Sequence, residues 1–185
     1  TTKELLLHVH GIEMKFVTNS PELASSVEAL LRHFRCDTHS ARPMLMEFDA
    51  VERRGDVPVR VSGSAKLLYS GSGLVTGVDR QTTWLCDIYS EPELLIADFH
   101  EEGVVVIDGV SQSARGYLVR PEAMARDIRV SFVHFAMTEL LKRRGLYTFH
   151  ATALEHEGQG VLIPGFSGRG KTTTFLSLLR SGYRY

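Results

Sequence analysis

Cysteine is scarce in this chain. Cys36 and Cys86 are the only two among 185 residues, and neither sits in a C-x-x-C or zinc-ligand spacing. That argues against a disulfide scaffold and a structural zinc site, and two isolated cysteines are expected to be reduced thiols in a cytoplasmic protein. Long apolar runs are missing too. None reaches the length needed to cross a bilayer, so no membrane partner is expected. No secretory signal is visible; the chain opens at Thr1-Thr2, which leaves open whether a native start was removed. Charge of one sign is not in excess. Lys and Arg number 21 against 22 Asp and Glu, a net charge of -1, which gives no reason to expect a nucleic-acid partner. There is no repeat and no low-complexity segment. What remains, 43% apolar and 23% charged residues, is the composition of one ordinary globular domain or two small ones.

Glycine is present where it carries meaning. Residues 165–172 read Gly-Phe-Ser-Gly-Arg-Gly-Lys-Thr, a complete G-x-x-x-x-G-K-[ST] phosphate loop. Its context fits. Gly160-Val161-Leu162-Ile163-Pro164 is a short apolar run bounded by turn formers, as a buried strand should be. Thr172 to Arg180 carries Phe175, Leu176, Leu178 and Leu179 at helical spacing and ends at Ser181-Gly182. Strand, glycine-rich loop and helix form the setting in which this motif binds phosphate.

The chemistry follows from the residue types. Gly165, Gly168 and Gly170 let the backbone wrap an anion without Cβ clashes. The amides from Gly168 through Arg169 and Gly170 to Thr172 can then converge on a phosphate, helped by the positive end of the following helix. Lys171 would reach the β- and γ-phosphates, and the Thr172 hydroxyl would ligand Mg²⁺. Ser167 could add a phosphate contact or simply be a small residue suited to the turn. The motif by itself does not separate kinase, ATPase, GTPase and inert nucleotide binder.

The rest of the chain predicts an α/β (α+β) protein. A strand is expected over Leu5–Val17, then a helix capped by Ser20 and opened by Pro21. Short β-like runs follow at Met44–Glu52, Val57–Ser62, Ala65–Ser70, Leu74–Asp79, Thr82–Tyr89 and Val104–Asp108, with Gly71-Ser72-Gly73 among the dividing turns. This spacing predicts a mostly antiparallel sheet or a sandwich. Leu94–Phe99 reads as strand or helix. A long helix is expected from Pro121 to Lys142, then a strand over Leu146–Glu155 and a hairpin turn at Glu157–Gly160. The boundary falls near residue 120: residues 1–120 form a β-rich domain, and 121–185 form the scaffold of the nucleotide site.

Other candidates are weaker. His8 and His10 would share a strand face as a metal pair, but no third ligand follows at suitable spacing, and a solvated face is the simpler reading. His150 and His156 also share a face, too far apart to hold one ion by themselves. Trp84 is expected in the core.

Leu140–Tyr185 resembles the start of the catalytic domain of HPr kinase/phosphorylase and its wider kinase-like relatives. The resemblance rests on a helix ending at Arg143-Arg144-Gly145, a strand with Phe149-His150-Ala151, the phosphate loop, and a helix closing at Arg180-Ser181-Gly182-Tyr183-Arg184. It covers about the last quarter of the chain. It implies a fold like that of phosphoenolpyruvate carboxykinase and the ATP-dependent phosphorylation of a protein or small-molecule hydroxyl, usually serine. His150 matches a family histidine that lies near the phosphates. Read from the strand alone, His150 could equally be a half-buried structural residue.

Two positions depart from HPr kinases proper, which are acidic where Phe166 and Thr173 stand here; this points to the wider relatives. The family's paired aspartates, which hold metal and act as base, would fall just beyond Tyr185. The expected function is therefore that of an ATP- and Mg²⁺-dependent serine kinase in the full protein, with His150 and Lys171 in catalytic roles. The alternative is a nucleotide-sensing or assembly module without a base. A homo-oligomer is compatible with either.

Overall fold

The computed structural model describes residues 2–37, 42–76, 81–149, 151–165 and 168–185, with main chain alone at 72–76 and 81–84. It divides the chain into two compact units, Thr1–Leu146 and Tyr147–Tyr185.

The first unit is built on one sheet of eight strands. In chain order they are β1 (Lys3–Val9), β2 (Ile12–Thr18), β3 (Met44–Val51), β4 (Lys66–Thr76), β5 (Gln81–Ser90), β6 (Leu94–Asp98), β7 (Gly103–Asp108) and β8 (Ser113–Val119). Their order across the sheet is β1-β2-β3-β8-β7-β6-β5-β4. The β2–β3 and β3–β8 pairs are parallel; the others are antiparallel. Of the two architectures expected, the unit is therefore a single sheet, not a sandwich. From β4 the chain meanders back strand by strand until β8 docks against β3. Local pairing of successive strands makes that path the simple one.

Two helices cover one face. The first, α1 (Pro21–Leu31), crosses over from β2 to the parallel β3. Ser20 caps it, its hydroxyl accepting from the Leu23 amide at 3.2 Å. The second, α2 (Arg126–Lys142), buries Ile128, Phe132, Val133, Ala136, Leu140 and Leu141. They join Phe16, Phe48, Val105, Ile107 and Leu118 from the strands in one core. Phe99 lies 4.5 Å from Phe132, ring centre to ring centre. Because this apolar stripe finds its partners on β7, β8 and α1, α2 packs in the first unit, although the sequence places it after the boundary near residue 120.

The other face carries a smaller cluster. Val57, Ile96 and Val104 are buried there, with Val59, Val61, Tyr89 and Tyr117 against them. Val57–Ser62, expected as a strand, is not one. Its alternating valines pack onto the sheet instead of pairing within it. The single strand expected over Leu5–Val17 is β1 and β2, joined by a tight turn in which His10 and Gly11 both take positive φ, 47° and 85°. The expected break at Gly71-Ser72-Gly73 is also absent: β4 runs straight through, in register with β5 from Tyr69 to Thr76. Residues 77–80, which take in the end of the expected Leu74–Asp79 strand, lie outside the described residues, as does the Trp84 side chain.

The second unit holds β9 (Ala151–His156), β10 (Gln159–Pro164) and α3 (Lys171–Arg180). β9 and β10 pair antiparallel around Glu157 and Gly158, both at positive φ. Leu146–Phe149, expected as the start of this strand, is not in it. No helix among the described residues is long and apolar enough to cross a membrane.

Candidate functional site

The phosphate-loop sequence lies between a strand and a helix as expected, but β10, expected as a buried strand, is half-exposed to exposed along its length. β10 ends at Pro164, Gly165 follows, and α3 starts at Lys171. Gly168 and Gly170 hold φ of +76° and +79°. An L side chain pays a conformational penalty there; glycine does not. Among the described residues a Cβ at either position would meet nothing within 4 Å, so the left-handed backbone, not crowding, is what calls for glycine there. Gly165 has no positive φ, and a Cβ there would touch the Lys171 chain at 3.5 Å, an ordinary contact.

Gly170 is the residue before α3 and offers no side-chain cap. The Thr174 amide already bonds the Gly170 carbonyl at 2.9 Å. The amides of Thr172 and Thr173, in the first turn, have no intrahelical acceptor by the geometry of any α-helix. They and the helix dipole present positive potential toward the loop. Arg169, Thr172 and Thr173 are exposed. Lys171 folds back over the loop, and its ammonium donates to the Gly165 carbonyl at 2.6 Å. The residues present thus fit a nucleotide phosphate: amides and Lys171 for its oxygens, and an exposed Thr172 hydroxyl for Mg²⁺.

The strand–loop–helix is tied shut at its far end, a feature the sequence did not announce. After α3 the chain returns to β9, where Arg184 and Glu155 exchange two backbone hydrogen bonds of 2.6 and 2.8 Å. Their side chains also form an ion pair at 2.7 Å. Since Arg184 runs antiparallel to β9, it runs parallel to β10, and α3 is the crossover between them. His156 stacks on Tyr183 at 4.3 Å. The Glu155 carboxyl is held below its usual range, first by the Gly158 amide, which outweighs an opposing effect of burial, and then by Arg184.

His150, Ser167 and Phe166 lie outside the described residues. The His8–His10 pair does not form: β1 ends at Val9, and His10 turns away at φ 47°, its ring edge-on to Phe34 at 6.0 Å. Among the described residues no three His, Cys, Asp or Glu side chains converge on a metal position. Both cysteines are free thiols.

Comparison with protein-family models, with curated proteins and with solved structures finds no significant match to this chain.

Proposed function

We propose that this chain carries the nucleotide-binding part of an ATP-dependent kinase of the HPr serine kinase-like type, which transfers the γ-phosphate to a serine or another hydroxyl. What supports the reading most is one succession: β10, two left-handed glycines at 168 and 170, and an uncapped helix that starts on Lys171. The succession favours a bound phosphate chain. The step from nucleotide binding to a kinase, and the phosphoenolpyruvate-carboxykinase-like fold of the domain, rest on the sequence resemblance.

In this reading the loop amides and Lys171 hold the β- and γ-phosphates, and Lys171 offsets the charge that builds up during transfer. Thr172 holds Mg²⁺, whose part is to bridge and neutralise phosphate oxygens. Gly165, Ser167, Arg169 and Thr173 line the loop. His150 is proposed to act near the transferred group, with an aspartate of the full-length protein as base. Lys171 must leave the Gly165 carbonyl to reach a phosphate. The two free cysteines fit a cytoplasmic setting.

The test is transfer of label from γ-labelled ATP to serine-containing acceptors by the native protein, in parallel with nucleotide binding. Transfer that requires Mg²⁺ and Lys171 supports the kinase. Tight, Lys171-dependent binding without transfer to any hydroxyl would make the chain a nucleotide sensor instead.

A further inference from the structure

The β4 end of the large sheet is exposed. β5 pairs with β6 only through Asp87–Ser90, while β4 and β5 pair from Lys66 to Thr76 with one register shift at Leu68. Gly71–Thr76 and Gln81–Cys86 therefore form a ribbon two strands wide, and such a ribbon is marginally stable in water without a third strand. Among the described residues no backbone hydrogen bond outside the β5 ladder reaches β4. An edge of this kind is normally blunted by proline, by charges or by a covering element. β4 has no proline, and Lys66 at its start is its single charge; its one irregularity, a register shift between Leu67 and Tyr69, lies at the end of the ribbon and leaves Tyr69–Thr76 regular. Leu67, Leu68 and Tyr69 are each about half exposed, at 50%, 52% and 48%.

The sequence of this edge says what fits it. Leu68–Leu74 reads Leu-Tyr-Ser-Gly-Ser-Gly-Leu. Laid antiparallel on its own copy about Gly71, it sets Leu68 opposite Leu74, Tyr69 opposite Gly73 and Ser70 opposite Ser72. By residue type the register matches apolar with apolar, aromatic with glycine, and serine with serine. The Tyr69 phenol already lies across Gly71 of its own strand, its hydroxyl 2.6 Å from where a Cβ there would stand. The two Lys66 residues fall at opposite ends of such a ladder, so no like charges face each other. A charged peptide finds no complement on this edge; a second copy of the same strand finds one at every position.

We propose that β4 is a self-association edge, and that two copies of this chain join antiparallel through Leu68–Leu74, with Gly71 on the two-fold axis, into one sixteen-stranded sheet. The interface is isologous and closes at two subunits. Each ribbon gains the third strand it lacks.

The register makes the proposal testable by charge. In Ser70→Lys/Ser72→Lys, lysine faces lysine at both symmetric positions. In Ser70→Lys/Ser72→Glu, lysine faces glutamate at both. The wild type should sediment at twice the chain mass. The Lys/Lys variant should dissociate at least about tenfold more readily, and the Lys/Glu variant should restore the dimer. Circular dichroism checks that each is folded. Amide exchange on the wild type gives a reading independent of any variant: protection across Leu68–Leu74 should rise with protein concentration. A wild type that stays monomeric, a Lys/Lys variant as dimeric as the wild type, or a Lys/Glu variant no better than Lys/Lys would overturn the proposal.

Discussion

The Lys171 ammonium and the Gly165 carbonyl face each other across the phosphate loop, 2.6 Å apart. The residue that should neutralise phosphate thus has a protein partner before any phosphate arrives. Nucleotide binding exchanges one hydrogen bond for another rather than pinning a mobile side chain. An ammonium that a carbonyl already holds loses less freedom when a phosphate takes its place, which lowers the ordering cost of binding.

The three loop glycines are not equivalent. Gly168→Ala and Gly170→Ala each put a Cβ at positive φ in otherwise open space, so each should cost about 1 kcal/mol from the backbone alone. Either loop can escape that strain by changing shape, and ATP affinity should fall at least about tenfold. Gly165→Ala meets neither strain nor clash and should keep affinity within a few-fold. Calorimetric titration of the three variants checks this; equal losses at all three would mean the left-handed geometry is not what binds phosphate.

Glu155 and Arg184 should make the closure of the second unit sensitive to acid. The carboxyl is depressed in the folded state by the Gly158 amide and by Arg184. Its contribution is present above the unfolded carboxylate pKa and is lost as pH falls through the lower folded value. The protection of the Arg184 amide, taken relative to its intrinsic exchange rate at each pH, should fall in that acid window. Glu155→Gln should show the lower protection already at neutral pH, with no acid step.

Much of this site was legible because its signals are local. Glycines at fixed spacing, an apolar strand before them and an apolar stripe after them all sit within thirty residues. The Ser20-Pro21 helix start was legible for the same reason. The first unit was harder. β8 was not foreseen, because Ser113-Ala114-Arg115-Gly116 carries little β signal; it is a strand because β3 and β7 flank it. Gly71-Ser72-Gly73 has turn composition yet lies inside β4, where pairing with β5 outweighs propensity. The reverse holds at Val57–Ser62: the alternation is real, but its valines face a sheet rather than join one. The parallel placement of β3 beside β8 joins residues 68 apart, such as Met46 and Ala114, and no local pattern encodes it.

Gly103 should be the least replaceable glycine of the large sheet. It sits at φ +149°, and a Cβ there would stand 2.1 Å from the Tyr117 carbonyl oxygen. Backbone, unlike a side chain, cannot swing aside. Gly103→Ala should cost about 3 kcal/mol or more, read as a lower urea midpoint. A midpoint within error of the wild type would mean that β7 and β8 are not packed as described.

The two thiols should react very differently. Cys86 is buried, and burial first, then Asp87 and Asp98, raise its pKa to about 11. Cys36 is partly exposed. A thiol reagent at pH 8 should label Cys36 and spare Cys86 until the protein unfolds. The unfolded thiol ionises near pH 9 and the folded one near 11, so stability should decline as pH rises across that interval. Replacing Cys86 with Ala should remove this part of the alkaline loss.

Arg54 and Asp98 join the cover of the second sheet face to β6 by two hydrogen bonds of 2.8 and 2.9 Å. Arg54 Nη1 is buried without another partner. Asp98→Ala would leave that guanidinium half-buried and unpaired, at a cost of about 1–3 kcal/mol. Removing both partners should cost less than the sum of the two single changes, which a double-mutant cycle in urea would measure.

The central claim is that residues 165–172 bind the phosphates of a nucleotide. Titration of Mg·ATP into the wild-type chain and into Lys171→Ala, followed by calorimetry, tests it most directly. The account predicts saturable binding by the wild type. In Lys171→Ala it predicts at least about tenfold weaker binding and a melting temperature lowered by a few degrees at most, because Lys171 is only half-buried and gives up one hydrogen bond. Equal affinity in the two proteins, or no binding by either, would contradict it.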